Sequence, residues 1–226
     1  MSNGIKVKKR NGRGTESLNL EKMHRMVEEA CKGLAGVSAS QVEIQSGIQF
    51  YDGITTQEIQ EILVKSASDL ITLENPNYQF VAARLLLFAT RKSLYGRSRD
   101  LPPLEDHIMN CTNIDVYDKE IFGKYSKEEI QKADSFIDHE RDLLFTYAGL
   151  RQVVDKYLVQ DRSTGKVFET PQFMYMMIAL TIFAEYPKET RLNYVRRYYD
   201  AISRHKLNIP TPIMAGVRTP IRQFAS

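Results

Sequence analysis

Helix-start signals recur along this chain, and no comparable run of strand patterns separates them, so the sequence is restricted to a mainly α fold. Asn19 stands before Leu20, Met23, Val27, Ala30, Cys31 and Leu34, apolar residues spaced three and four apart on one helix face. Ser38-Ala-Ser-Gln41, Thr55-Thr-Gln-Glu58 and Ser126-Lys-Glu-Glu129 each read as a capping box. Thr170-Pro171 sets a cap before a proline at the first helical position. Strand patterning is confined to two hairpins. Residues 5–9 and 15–18 flank the turn sequence Asn11-Gly12-Arg13-Gly14, and residues 157–169 fold back around Asp161-Arg-Ser-Thr-Gly165.

The order of these signals gives the organisation. A hairpin and four short helices occupy residues 1–96, with Val42, Ile48 and Tyr51 on the second helix face and Ile59, Leu63, Ala67 and Leu70 on the third. Pro76 breaks the chain before the fourth, which buries Val81, Ala82, Leu85 and Phe88. Arg97-Ser-Arg-Asp-Leu-Pro-Pro103 has the charge and proline content of a connector. A helical domain follows over 97–206, including a helix from Asp142 to Tyr157 and a long one from Lys188 to Lys206. Residues 207–226 open like a strand and carry several turn signals. The length of 226 residues accommodates two such units.

Charge and cysteine content narrow the function. Thirty-one Lys and Arg against 28 Asp and Glu give a net charge of +3 with both signs interspersed, which is no footprint for nucleic acid. Cys31 and Cys111 each stand alone, so neither zinc spacing nor a disulfide framework is present. The polar N-terminus does not resemble a signal peptide, and no apolar run approaches the roughly 20 residues of a membrane span. A soluble, cytoplasmic protein is the expectation.

Few residues stand out as chemical. Lys9, Arg10, Glu16, Asn19 and Lys22 gather basic side chains beside a helix start, where free N–H groups favour an anion. A solvated basic turn explains the same residues, and more commonly. The run Ile137-Asp-His-Glu-Arg-Asp142 is dense in acids and bases, but such clusters more often join helices by ion pairs. Cys31 and Cys111 read as buried, inert thiols. Phe173-Met-Tyr-Met-Met-Ile-Ala-Leu180 reads as core.

Longer motifs carry a resemblance. Val7-Lys-Lys-Arg-Asn-Gly12, Asn19-Leu-Glu-Lys22, Asp52-Gly-Ile-Thr-Thr56 and Asn77-Tyr-Gln-Phe-Val-Ala-Ala-Arg84 resemble the ATP-cone of ribonucleotide reductase large subunits. Ile137-Asp-His-Glu-Arg-Asp142, Thr170-Pro-Gln-Phe173, Glu189-Thr-Arg191 and Pro210-Thr-Pro-Ile-Met-Ala-Gly-Val-Arg-Thr-Pro220 resemble the aerobic class I enzymes of that family. The resemblance implies reduction of ribonucleoside diphosphates, with ATP or dATP, accompanied by Mg2+, setting overall activity at the cone. It implies effector contacts at Val7, Lys9, Arg10, Glu16, Asn19, Lys22, Thr56 and Lys92. The lysines and Arg10 would neutralise phosphates, while Glu16 and Asn19 would bond base or ribose. Thr211, by its hydroxyl, and Ser226, by its backbone N–H, would touch the substrate diphosphate. The radical cofactor would lie on a separate small subunit, and thioredoxin or glutaredoxin would supply electrons through the part of the large subunit beyond this sequence.

Two departures from the family pattern matter. Gln60 stands where family members often have a histidine one turn after the threonine, and an extra residue lengthens the turn near Arg13-Gly14. A neutral amide supplies no imidazolium charge, so ATP binding is expected to persist while dATP inhibition weakens. The sequence also stops at Arg222-Gln-Phe-Ala-Ser226, just before the family's first redox cysteine. The expectation is the N-terminal piece of a split or truncated large subunit, inactive alone, with its barrel completed by a second chain. A stand-alone nucleotide sensor and a non-functional fragment are the alternatives.

Overall fold

The computed structural model describes residues 5–9 and 14–222. The chain divides into two compact units, residues 1–89 with 145–151, and residues 90–144 with 152–226.

The first unit is built on a small mixed sheet. Strand β1 (Lys6–Lys8) pairs antiparallel with β2 (Thr15–Ser17), and the hydrogen bond from Leu18 N to Ile5 O extends the pairing. Helix α1 (Leu20–Cys31) follows, capped by Asn19, whose Oδ1 accepts the Lys22 N–H at 2.8 Å. Met23, Val27 and Ala30 form its buried face as the spacing predicts, while Leu20 stays exposed. Helix α2 (Ala39–Gly47) departs from expectation. Ser38 makes no side-chain cap; instead its N–H donates to the Tyr78 hydroxyl at 3.0 Å, and that hydroxyl donates to Gln41 Oε1. A buried tyrosine nearly forty residues away has replaced the local box. Ile48 and Tyr51, expected in the core, are exposed; only Val42 of the three is buried.

A strand absent from the sequence reading comes next. Strand β3 (Ile54–Thr55) pairs parallel with β1, giving the order β2-β1-β3. Gly53 makes the turn into it at φ +85°, a conformation that a side chain would strain, and donates its N–H to Lys6 O at 2.8 Å. Helix α3 (Thr56–Asp69) then starts from the capping box that the sequence predicts, with Thr55 Oγ1 and the Glu58 carboxylate in reciprocal bonds. Helix α4 (Tyr78–Tyr95) buries Val81, Ala82, Leu85 and Phe88 as expected.

Glu58 gives this capping box a pH dependence. Its carboxylate accepts the Thr55 hydroxyl, the Thr55 N–H and the Tyr51 hydroxyl, and these bonds hold its pKa down at about 2. The depressed value means the stabilisation is complete above the ordinary carboxylate pKa and is lost as pH falls towards 2. Acid titration followed by the Thr55 amide resonance is expected to show the first turn of α3 opening only below about pH 4. Opening near neutral pH would contradict this assignment.

In the chain order of the second unit come α5 (Leu104–Asn113), α6 (Glu120–Lys124) and α7 (Lys127–Asp134), the last with the predicted Ser126–Glu129 box. The single helix expected from Asp142 to Tyr157 is broken into three pieces. A 3-10 turn covers His139–Leu144, α8 covers Tyr147–Gln152 and falls with the first unit up to Arg151, and a π-helical turn covers Val153–Tyr157. Thr146 restarts the helix, its carbonyl and hydroxyl accepting the N–H groups of Leu150 and Gly149. Strands β4 (Gln160–Asp161) and β5 (Lys166–Val167) form the second hairpin. Helix α9 (Pro171–Ile182) is buried from Pro171 to Leu180, confirming the core reading of that run. Helix α10 (Lys188–Ser203) packs on it through Val195, Tyr199 and Ile202.

The strand-like opening expected at residues 207–226 is corrected by the structure. Among the described residues this segment holds a helix, α11 (Thr211–Gly216), and no strand. Pro210 and Pro212 have no N–H to give a strand ladder, whereas proline is well suited to a helix's first turn.

The acid–base run at residues 137–142 is a structural network. Arg91 Nη2 donates to Asp142 Oδ2 at 2.9 Å and to the His139 carbonyl at 2.7 Å. Gln172 Nε2 donates to Asp142 Oδ1, and the Tyr199 hydroxyl donates to Gln172 Oε1. Burial lowers the pKa of His139 to about 4, which keeps it neutral near pH 7. Burial likewise raises the thiol pKa of Cys31, and that of Cys111 to about 12, as inert cysteines require.

Candidate functional site

The small sheet gathers most of the residues singled out in the first unit. Val7 is buried at the centre of β1, opposite Glu16 on β2 and Ile54 on β3, and the next pair along, Lys8 with Thr55, leads directly into Thr56. Asp52 Oδ1 accepts the Lys6 N–H at 2.8 Å and ties the turn before β3 to the start of β1. Thr56, half-buried at the first position of α3, is fixed by the Thr55–Glu58 box immediately before it. Gln60 lies one turn further on the same helix and is buried.

The charges are arranged differently from a bare basic turn. Lys9 Nζ lies 2.9 Å from Glu16 Oε2, so a cation and a carboxylate expected to make separate contacts are paired with each other. Both remain about half exposed, at 43% and 51% of their side-chain surface, where an ion pair contributes little stability. The pair is therefore exchangeable, and an anionic ligand can take Lys9 from Glu16 at small cost. Lys22 is exposed on the first turn of α1, and Asn19 is already committed through Oδ1 to the helix cap. Lys92 is half-buried in the last turn of α4, in the portion of that helix belonging to the second unit. Arg10 and Ser226 lie outside the described residues.

Thr211 is exposed at the start of α11, its Oγ1 3.5 Å from the Tyr157 hydroxyl. Among the described residues, no group of three or more His, Cys, Asp or Glu is placed to hold a metal.

Sequence reasoning missed a groove of about 790 Å³ in the first unit. Ile5, Leu18, Leu20, Met23, Ile44 and Phe50 give it an apolar lining, and none of the expected effector contacts lies in it. His24 stands at its wall, 2.7 Å from Glu43 and 3.2 Å from Glu28, and the bond to Glu43 raises its pKa. The hydrophobic spacing of α1 placed Leu20 on the buried face, and the reading of α2 did not single out Ile44, so nothing in the sequence marked either as exposed.

The first unit is thus a β2-β1-β3 sheet with capped helices α1 and α3, and the second is mainly helical with one short hairpin. Residues 5–93 match the ATP cone domain, and residues 143–222 match the all-alpha domain of ribonucleotide reductase. Over its full length the chain is homologous to the N-terminal region of ribonucleoside-diphosphate reductase alpha subunits. It is 49% identical over all 226 residues to ribonucleoside-diphosphate reductase 1 subunit alpha of Escherichia coli, covering 29% of that protein. Identity to the alpha subunit of Haemophilus influenzae is also 49% over the full chain, covering 30% of it. The alpha subunit of Enterobacteria phage T4 is 44% identical over 94% of this chain, which covers 28% of the phage protein. The chain thus spans less than a third of the length of these relatives. No helix among the described residues is long and apolar enough to cross a membrane.

Proposed function

We propose that the end of the small sheet within residues 5–93 binds ATP or dATP as an allosteric effector, and that the chain contributes this control to a cytoplasmic class I ribonucleoside-diphosphate reductase. The observation that carries the reading is that Lys9, Glu16 and Thr56 lie beside the buried Val7 at one end of the β2-β1-β3 sheet, within residues that match an ATP cone. Lys9 and Lys22, with Arg10, neutralise the phosphates of the effector in its Mg2+ complex. Thr56 offers a hydroxyl, and Glu16, once released from Lys9, accepts from ribose or base.

In the second unit, the Thr211 hydroxyl and the Ser226 N–H bind the substrate diphosphate. The domain limits we propose are 1–96 for the cone, 97–206 for the helical domain, and 207–226 for the approach to the catalytic barrel. The working enzyme needs the rest of an alpha subunit, a radical-generating small subunit, and thioredoxin or glutaredoxin. Likeness of the full chain to alpha subunits of ribonucleoside-diphosphate reductases supports this assembly.

The test is reductase activity of the reconstituted enzyme with ATP, with dATP and with neither. ATP is expected to stimulate. Millimolar dATP is expected to leave activity comparable to that without it, because Gln60, buried one turn after Thr56, brings no imidazolium charge to the site. Steep dATP inhibition would contradict the role given to Gln60, and indifference to both nucleotides would contradict effector binding itself.

A further inference from the structure

Arg218 is fully buried, and its guanidinium donates to three separate segments of the second unit. It binds both oxygens of Glu169, whose side chain is also fully buried, with Nε 2.9 Å from Oε2. Nη1 donates to the Met214 carbonyl in α11 at 2.5 Å, and Nη2 donates to the Tyr157 carbonyl at 2.9 Å. The Glu169 carboxylate further accepts the Tyr117 hydroxyl at 2.5 Å and the Val159 N–H at 2.7 Å. A planar fork with five donors can fix several segments at once, which a single ammonium cannot.

Such fixing matters most for α11. Six residues are too few for a helix to hold its own conformation in water, so its orientation comes from what grips it. Arg218 grips it at Met214, and Thr211 stands at its other, exposed end. The Tyr157 hydroxyl lies 3.5 Å from Thr211 Oγ1, while the carbonyl of the same tyrosine is held by Arg218. The contacts close a ring from Arg218 through α11 to Thr211, across to Tyr157 and back.

We propose that Arg218 and Glu169 are positioning residues that fix the Thr211 hydroxyl where a substrate diphosphate meets it, with Tyr157 orienting that hydroxyl. This inference rests on the reading of Thr211 as a diphosphate contact. It is tested in the assembled reductase with the full chain, by measuring KM and kcat for a ribonucleoside diphosphate in Thr211→Val, Arg218→Lys, Tyr157→Phe and the double variant Thr211→Val/Arg218→Lys. Thr211→Val is expected to raise KM by about tenfold, the loss of one hydrogen bond to a charged group. Arg218→Lys and Tyr157→Phe are expected to raise KM severalfold, each by more than it lowers kcat. In the Thr211→Val background, Arg218→Lys should add nothing further to KM, because its effect passes through that hydroxyl.

An unchanged KM in Thr211→Val would overturn the reading of Thr211. A raised KM there, with Tyr157→Phe and Arg218→Lys both silent, would overturn the positioning role alone. A full additional effect of Arg218→Lys in the double variant would do the same. Tyr157→Phe leaves the buried pair intact, so it decides the matter even where Arg218→Lys fails to fold.

Discussion

Replacing Arg91 with methionine is expected to destabilise the second unit by about 3–5 kcal/mol, read as a lower urea midpoint, because it strands the Asp142 carboxylate in the interior. Asp142 is fully buried and Arg91 nearly so, and among the described residues Gln172 Nε2 would be left to bond the carboxylate. The loss should itself depend on pH. Burial raises the Asp142 pKa and Arg91 opposes that rise, so removing the guanidinium drives the pKa higher still. A carboxyl whose folded pKa is raised stabilises the fold below its unfolded pKa, and that contribution is lost as pH rises through the folded value. The deficit of Arg91→Met relative to the parent should therefore be smaller at pH 5 than at pH 7. An equal deficit at both would mean that Arg91 serves by packing and not by charge.

Lys9→Ala is expected to weaken ATP binding by about tenfold or more while leaving the melting temperature unchanged, since a charged hydrogen bond to phosphate is worth about 1.5–3 kcal/mol. The separation of the two effects follows from exposure. The Lys9–Glu16 pair is half in water and contributes little to folding, so the lysine is free to act on a ligand. Glu16→Gln provides the complement. It removes the competitor for Lys9, so any loss of affinity it causes is assigned to the contact that Glu16 makes with ribose or base. A fall in melting temperature in Lys9→Ala matching its loss of affinity would count against a direct contact.

Local chemistry was legible in the sequence, and long-range substitution of partners was not. The caps at Asn19, Thr55 and Ser126 were readable because every participating atom lies within three residues. The Ser38 box failed because the Tyr78 hydroxyl reaches both Ser38 N and Gln41, and nothing in the sequence spacing records that approach. Strand β3 escaped notice because two residues carry no alternation, and it exists only through β1. At the site, Lys9 and Glu16 were gathered by hairpin logic, and Val7 and Thr56 by resemblance. The supporting bonds of Asp52, Tyr51 and Glu58 emerged only from the folded backbone. The ring joining Arg218, Tyr157 and Thr211 spans 61 residues at its longest step, beyond any motif window.

The central claim is that the effector sits at the end of the small sheet, and amide chemical-shift mapping of the full chain titrated with ATP tests it most directly. The predicted result is saturable perturbation centred on Val7, Lys9, Glu16, Asn19, Lys22 and Thr56. Perturbation confined to His24, Glu43, Ile44 and Phe50 in the apolar groove, or none at all, would contradict it.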